Sequence, residues 1–478
     1  MPTPQQHARL INDWLELQDP AALPDLMAGL PADHSIFEAL DAISDAADSE
    51  EEEIAAAGIA ALFRDCVEVW NDSLSVRLRA VYSRLFAHVI WRCAERDALM
   101  HAALAEHGVD SETALWQRHQ RLRQAPGRAP TMTRRILVLS RVTIGADILI
   151  TSVLLQHLRQ AFPGAEIKLV GDPKLEGLLG GFSGMQVVPL RYARRGRLRN
   201  RLRAWLAVRE LASMQNADIV INPDSRLDQL GLLPLLDEER TLLWENTLPD
   251  GQAHSLAELM SAWCCRRLPN ACTIAVRPQL YPSEPQRIEQ TRLRRACGAA
   301  PLAAVKLDHG GNPAKALPMQ AEVAILHRLR ACGWRIILDR GFDASEFAHS
   351  DALLDAARLH AIDISDGDAA MGLAVGDLCE DRLAAEPVIR FHGSIAGWAA
   401  CLACSRLAVS YDSVGQHLAA ASGIPVIVPF AGYEHASFPD AWRPVGHAPT
   451  HVHRFDDEAS KRDPTRLAAL LEEIPPAD

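Results

Sequence analysis

RRILVLSRVTIGADILITSVLLQHLRQAFPGAEIKLVG, residues 134–171, decides the fold. Its opening apolar run, RILVL, is too short for a helix and lacks polar alternation, as expected of a strand buried on both faces of a parallel sheet. A glycine-containing loop, SRVTIGAD (140–147), leads into apolar residues at helical spacing over 146–162 and then a second strand pattern, AEIKLVG (165–171). A further strand, ADIVINP (217–223), follows an arginine-rich helix. The same alternation resumes near Pro301 with LAAVKLD (302–308), a helix over 321–333, and the strands WRIILD (334–339) and PVIRF (387–391). It continues through the helix 395–405, RLAVSY (406–411), the helix GQHLAAASG (415–423) and PVIVPF (425–430). Two consecutive doubly wound blocks predict an α/β protein of two Rossmann-like lobes, residues 134–285 and 286–478, with working loops at the carboxyl ends of the strands facing a shared cleft.

In front of these blocks the pattern is different. Residues 1–124 carry apolar positions at helical spacing with no strand between them, so an all-helical unit is expected there. The run Asp48–Glu53 reads as an acidic helix start and Trp14, Trp70 and Trp91 as core residues. Residues 125–133, with two prolines and a glycine, read as a linker.

The chain has 478 residues, 48% hydrophobic and 23% charged, which is enough to build more than one core. A net charge of -12 argues against a surface devoted to nucleic acid. No apolar run approaches the roughly 20 residues of a membrane-spanning helix, and the first residues lack a signal-peptide layout, so a cytoplasmic location is expected. The ten cysteines are scattered, which suits reduced thiols, and Cys401-x-x-Cys404 and the adjacent Cys264 and Cys265 read as packing residues.

Three loops at strand ends hold residues suited to chemistry. In 140–147, Gly145 permits a tight turn and Asp147 stands at the start of the next helix, as an N-cap or as a carboxylate able to take a proton from a hydroxyl. In YDSVGQHL (411–418), Ser413 and the amides of Val414 and Gly415 lie at a helix N-terminus, where unpaired N–H groups and the helix dipole favour an anion; Asp412 flanks them and His417 falls within the helix. In LDHGGNPAKALP (307–318), Lys315 is one of only five lysines beside 44 arginines, and an ammonium there could neutralise a diphosphate. Asp366 and Asp368 form a D-x-D in a polar loop and read as solvated carboxylates, not metal ligands. The stretch RYARRGRLRNRLR (191–203) has seven arginines in thirteen residues, either a solvated helix face or a surface for phosphate or carboxylate groups. It lacks the interleaved aromatics of a nucleic-acid surface.

Read together, residues 135–170, the lysine loop GGNPAKALP, the run SIAGWAACLACSRLAVSYDSVGQHLAAASGIPVIVPF (394–430) and DAWRPVG (440–446) resemble glycosyltransferase family 9, the ADP-heptose lipopolysaccharide heptosyltransferases, over about residues 134–450. The resemblance implies a GT-B fold and inverting, metal-independent transfer of a sugar from a nucleotide diphosphate donor, ADP-heptose being the expected one, with no cofactor. It implies Asp147 as general base and Lys315, Asp412, Ser413, Val414, Gly415 and His417 around the donor. Arg194, Arg195, Arg197, Asp224 and Arg226, on the first lobe, are the acceptor-binding candidates, for an anionic glycan or glycolipid. Peripheral contact with the inner membrane and a protein partner for the helical unit are further expectations. The residues also leave open an inert nucleotide-sugar-binding module and a sugar-nucleotide epimerase on the same fold.

Overall fold

The computed structural model describes residues 6–7, 10–11, 13–14, 26–27, 29–31, 34–46, 73–124, 127–192, 198–244, 254–270, 276–299, 301–308, 312–366, 373–374, 386, 388–433 and 436–477. Contacts divide the chain into two compact units, one of residues 1–143, 154–173 and 184–274, the other of residues 144–153, 174–183 and 275–478. Each holds one parallel sheet, as the alternating strand and helix patterns predict.

The first unit's sheet has strands β1 (Arg135–Leu139), β2 (Glu166–Gly171), β3 (Met185–Pro189), β4 (Ile219–Asn222) and β5 (Thr241–Leu243), in the order β3-β2-β1-β4-β5. Every pairing is parallel. Apart from Arg135 at its start, the side chains on β1 and β4 are buried, which is why these segments read as apolar runs. Before the sheet come the helices α1 (Ser35–Ala46), α2 (Ser73–Glu95), α3 (Ala98–Ala105) and α4 (Glu112–Gln124). They are joined by polar contacts: His88 on α2 lies 3.1 Å from Asp41 on α1 and 2.7 Å from Glu112 on α4. These helices do not bury their apolar faces only among themselves. One hydrophobic cluster runs from Phe37, Leu85, Ile90 and Leu104 into Leu137, Val170, Trp205 and Val220 of the α/β part, with Trp14 and Trp91 packed against it. Trp70 and Asp48–Glu53 lie outside the described residues. Nor does the proline-containing stretch hang free: the amide of buried Ala129 donates to the carbonyl of Arg267 at 2.8 Å.

A short α turn, Ile144–Ala146, and a π-helical turn, Asp147–Thr151, both counted with the second unit, lead into α5 (Ser152–Ala161); α6 (Leu198–Met214) and α7 (Leu256–Arg267) belong to the first unit. The thiol expectation needs one correction. Cys265 on α7 is disulfide-bonded, whereas Cys93, Cys264, Cys297, Cys332, Cys401 and Cys404 carry free thiols. Adjacent cysteines on a helix point about 100° apart, so Cys264 can face the core while Cys265 reaches a partner.

The second unit contains α8 (Glu284–Cys297), β6 (Leu302–Lys306), α9 (Met319–Ala331), β7 (Arg335–Asp339), α10 (Ala344–Ala357), β8 (Ala361–Ser365), β9 (Leu373–Ala374), β10 (Val388–His392), α11 (Ile395–Cys404), β11 (Leu407–Ser410), α12 (Val414–Ala421), β12 (Val426–Ala431), β13 (Thr450–Phe455) and α13 (Pro464–Glu472). The sheet order is β13-β12-β11-β6-β7-β10-β8-β9, again with parallel pairings. From β6 the chain proceeds outward to β7, whereas from β11, the neighbour of β6 on the other side, it proceeds to β12. The sheet therefore reverses its winding between β6 and β11, and loops at that switch diverge from the carboxyl ends of adjacent strands, leaving a crevice where ligands of such sheets bind.

Candidate functional site

Two of the three loops singled out from the sequence leave the sheet at this switch. The loop 307–318 follows β6 and the turn 411–413 follows β11, and the structure brings them into direct contact. Lys315 Nζ donates to Asp412 Oδ2 at 2.6 Å and to the Asp412 carbonyl at 2.9 Å. The lysine stays partly open, at 23% side-chain exposure against 7% for the aspartate, so an incoming anion can reach the ammonium.

The lysine loop is not as irregular as its glycines and prolines imply. Pro313–Lys315 form a 3-10 turn, capped by the Asn312 side chain accepting from the Ala314 amide at 3.1 Å. The Lys461 ammonium takes the Ala314 carbonyl at 2.6 Å. Gly432, at φ +69, permits the close approach of strand β12 to this turn, since a Cβ there would lie 2.6 Å from the Ala314 oxygen. On the other side of Lys315, the Leu317 amide donates to Tyr411 Oη at 2.8 Å, and that hydroxyl donates to Glu322 Oε1 at 2.5 Å. His349 lies 2.8 Å from the second Glu322 oxygen, and this hydrogen bond raises its pKa. Lys315 is thus presented by a turn tied at both ends.

Ser413 caps α12, its hydroxyl accepting from the Gly415 amide at 3.2 Å. Beneath this turn lies Lys306, a residue the sequence reading passed over as part of a strand. Burial works against its charge, but Asp339 and Asp308 both contact Nζ and hold the ammonium above the usual lysine range. A Cβ on Gly415 would lie 2.8 Å from Lys306 Cδ and 2.6 Å from Ser410 Oγ, so the glycine allows α12 to sit directly on the buried lysine. A lysine ending an otherwise apolar run was the available signal, because a charge in a doubly covered strand needs a partner.

His417 is buried, and Gln416 joins it to Asp412: Gln416 Nε2 donates to Asp412 Oδ1 at 2.7 Å and lies 3.4 Å from His417 Nε2. Burial pushes the imidazole pKa down to about 4; Asp412 opposes that shift and Lys315 reinforces it. The ring is therefore neutral near pH 7. Its Nδ1 and the Gln416 Oε1 are buried with no hydrogen-bond partner among the described residues.

The third loop reaches the same unit. Residues 144–153 group with the second sheet, and a Cβ on Gly145 would lie 3.2 Å from the His417 ring and 3.5 Å from Val414 Cα. Asp147 is not a helix cap, since helical structure begins three residues earlier at Ile144. It opens the π-helical turn, is fully buried, and accepts a hydrogen bond from Thr151 Oγ1 at 2.8 Å. A π turn inside a helix often accompanies a functional position.

The acceptor candidates divide. Arg194, Arg195 and Arg197 lie outside the described residues. Asp224, at φ +63, is buried with Oδ2 3.4 Å from Arg141 Nη1, while Arg226 is exposed in the same loop after β4. Asp366 accepts from the Ser394 amide at 2.9 Å and from its hydroxyl at 2.5 Å, ahead of α11; Asp368 lies outside the described residues. Among the described residues no group of three or more His, Cys, Asp or Glu is placed to hold a metal ion, and no helix is long and apolar enough to cross a membrane.

No family model and no curated protein matches the sequence. Solved structures do. A glycosyl transferase of family 9 from Veillonella parvula superposes with a TM-score of 0.52 at 16% identity, covering 73% of this chain and 100% of that one. ADP-heptose lps heptosyltransferase II of E. coli gives 0.46 at 17% identity, over 71% of this chain and 99% of that one. The E. coli heptosyltransferase WaaC with ADP gives the same TM-score, identity and coverage. The chain is an α/β protein with two parallel sheets, and it has the fold of the family 9 glycosyl transferase structure from Veillonella parvula.

Proposed function

We propose that this chain is a glycosyltransferase moving a sugar from a nucleotide diphosphate donor, ADP-heptose in the first instance, to a hydroxyl of an anionic glycan or glycolipid. The observation that carries the reading is the Lys315–Asp412 pair at the winding switch of the second sheet, beside the N-terminus of α12 and against the loop that bears Asp147. In this reading the diphosphate displaces the Asp412 carboxylate from Lys315 and takes the remaining free amides of the α12 N-terminus. Charge that builds on the leaving diphosphate is then met by a fixed ammonium and a helix dipole, which need no rearrangement at the moment of reaction. His417, neutral and with a buried Nδ1 that has no hydrogen-bond partner among the described residues, can give a hydrogen bond to the donor without adding charge. Asp147 is the base for the acceptor hydroxyl: an inverting displacement at the anomeric carbon needs a proton acceptor opposite the leaving group. Transfer through these groups requires neither a metal nor a cofactor.

One observation favours a second reading. Asp147 is fully buried and already accepts a hydrogen bond from Thr151, as expected of a structural carboxylate in a module that binds a nucleotide sugar without turnover. Purified protein, ADP-heptose and a deacylated, phosphorylated lipopolysaccharide core oligosaccharide separate the two. Acceptor-dependent release of ADP that Asp147→Asn lowers by about a hundredfold or more supports transfer with Asp147 as base. Tight donor binding with no ADP release from wild type supports the binding module, and donor conversion without acceptor supports an epimerase.

A further inference from the structure

The front helices precede the stretch that resembles family 9, yet one of them is built into the loop after β4. That loop, residues 223–236, has an unusual backbone: Asp224, Gln229 and Leu230 all have positive φ, at 63°, 55° and 59°, followed by Gly231 at 87°. Two consecutive non-glycine residues in the left-handed region persist only where surrounding contacts enforce them. Those contacts come from inside and outside the loop. Internally, the Leu230 amide donates to the Ser225 carbonyl at 2.8 Å, the Gly231 amide to Asp228 Oδ1 at 3.2 Å, and Gln229 Nε2 to the Arg226 carbonyl at 2.8 Å. Externally, they come from α4. His119 Nε2 lies 3.1 Å from the Leu230 carbonyl, and Arg118 donates to the carbonyls of Gly231 at 3.4 Å and Leu236 at 3.2 Å. Arg121 adds a bidentate pair with Glu238. Arg118 and His119 are both buried.

An arginine buried against main-chain carbonyls, in place of solvent or a hydrogen-bonded carboxylate, is an expensive way to stabilise a core, and apolar residues would fill the space at less cost. Its forked geometry is suited to holding two carbonyls of one loop at a set separation. We propose that Arg118 and His119 are positioning residues: from the added helix α4 they fix the left-handed turn 229–231, and through Gln229 they fix the backbone of exposed Arg226, the acceptor-binding candidate of this loop. This rests on the reading of the chain as a glycosyltransferase whose β4 loop meets an anionic acceptor. It gives the helical front third a role in catalysis without requiring it to touch substrate.

The test uses the full chain with Arg118→Ala, Arg118→Lys, His119→Ala and His119→Gln, ADP-heptose as donor and the phosphorylated core oligosaccharide as acceptor. Two quantities are read: the acceptor KM against kcat and donor Kd, and hydrogen exchange of the amides of Leu230, Gly231 and Leu233. The expected result is an acceptor KM raised about tenfold in both alanine variants, with donor Kd within about twofold of wild type and loop amides exchanging at least about tenfold faster. His119→Gln, which keeps a donor for the Leu230 carbonyl, restores most of the wild-type KM and loop protection, and Arg118→Lys, which keeps charge but not the fork, does not. Unchanged loop exchange in Arg118→Ala overturns the proposal, as does a parallel fall in kcat, acceptor affinity and donor affinity. If wild type binds donor but transfers no sugar, the enzymatic reading fails instead, and the exchange measurement alone decides whether α4 sets the loop.

Discussion

Neutral, buried His417 makes the protein acid-sensitive in a way that can be isolated. Its imidazole titrates at about 4 in the folded protein against 6.5 for the ordinary group. Between those values the unfolded chain binds a proton that the folded one does not, so the stability due to this residue is present above pH 6.5 and is lost as pH falls toward 4. At pH 5 the unfolded histidine is almost fully protonated and the folded one almost fully neutral, which makes the loss from pH 7 to pH 5 about 2 kcal/mol. The wild-type profile alone will not display this, because Asp228 acts in the opposite direction over the same range. The observable is the difference between wild type and His417→Met in urea unfolding at half-unit pH steps. Methionine is of similar size and cannot titrate, and it gives up a weak contact with Gln416 at 3.4 Å and a tilted ring contact with Trp442 at 6.1 Å between centroids, both of which affect the difference at every pH alike. The difference should be flat above pH 7 and should move about 2 kcal/mol in favour of the variant by pH 5. A difference that stays flat from pH 7.5 to 5 would show that the histidine is solvated in the folded state, and the tight packing of Gly145 on its ring would be wrong.

Other consequences are equally specific. Burial raises Asp228 to about 7, against the Gly231 amide, Asn222 and Arg118, so its carboxyl favours the folded state at low pH and opposes it as pH rises from about 4 to 7. Asp228→Asn should therefore gain about 3 kcal/mol relative to wild type between pH 5 and pH 8 in the same unfolding assay, and no gain would refute the buried placement. Lys306→Met leaves Asp339 and Asp308 without their cation and should cost about 3–5 kcal/mol at pH 7, with the loss reduced at acid pH because burial raises the Asp339 carboxyl and the variant no longer holds it down with a cation. Gly415→Ala places a methyl 2.8 Å from Lys306 Cδ; a lowered melting temperature corresponding to about 1–3 kcal/mol, with weaker donor binding, is expected.

The sheets were the most legible part of the chain, because parallel strands covered on both faces must be continuous apolar runs, and β1, β6, β7, β11 and β12 are such runs. Peripheral strands such as β3 and β13, only partly buried, carry no comparable signal. Of the site, the sequence placed Lys315 and Asp412 in loops at strand ends, whereas their pairing depends on the winding reversal that makes β6 and β11 neighbours. Asp147 was harder to read. The sequence SRVTIGAD resembles a loop with a cap, but a helical turn beginning at Ile144 and a π turn draw the carboxylate inside, where Thr151, one helical turn on, supplies a donor. Lys306 and Asp339 are 33 positions apart, and only adjacent parallel strands bring them together. The bracing of the β4 loop by α4 spans more than a hundred positions and leaves no local pattern, apart from an arginine and a histidine on an otherwise buried helix face.

In the proposed reaction Lys315, steered by Asp412, grips the donor diphosphate. Titration of ADP and of ADP-heptose into wild type and Lys315→Ala by calorimetry tests it directly. Wild type should bind the nucleotide, and the variant should bind both ligands at least tenfold more weakly, as follows from losing one charge-assisted contact of about 1.5–3 kcal/mol. Equal affinity in the two proteins, or no binding to either, would contradict it.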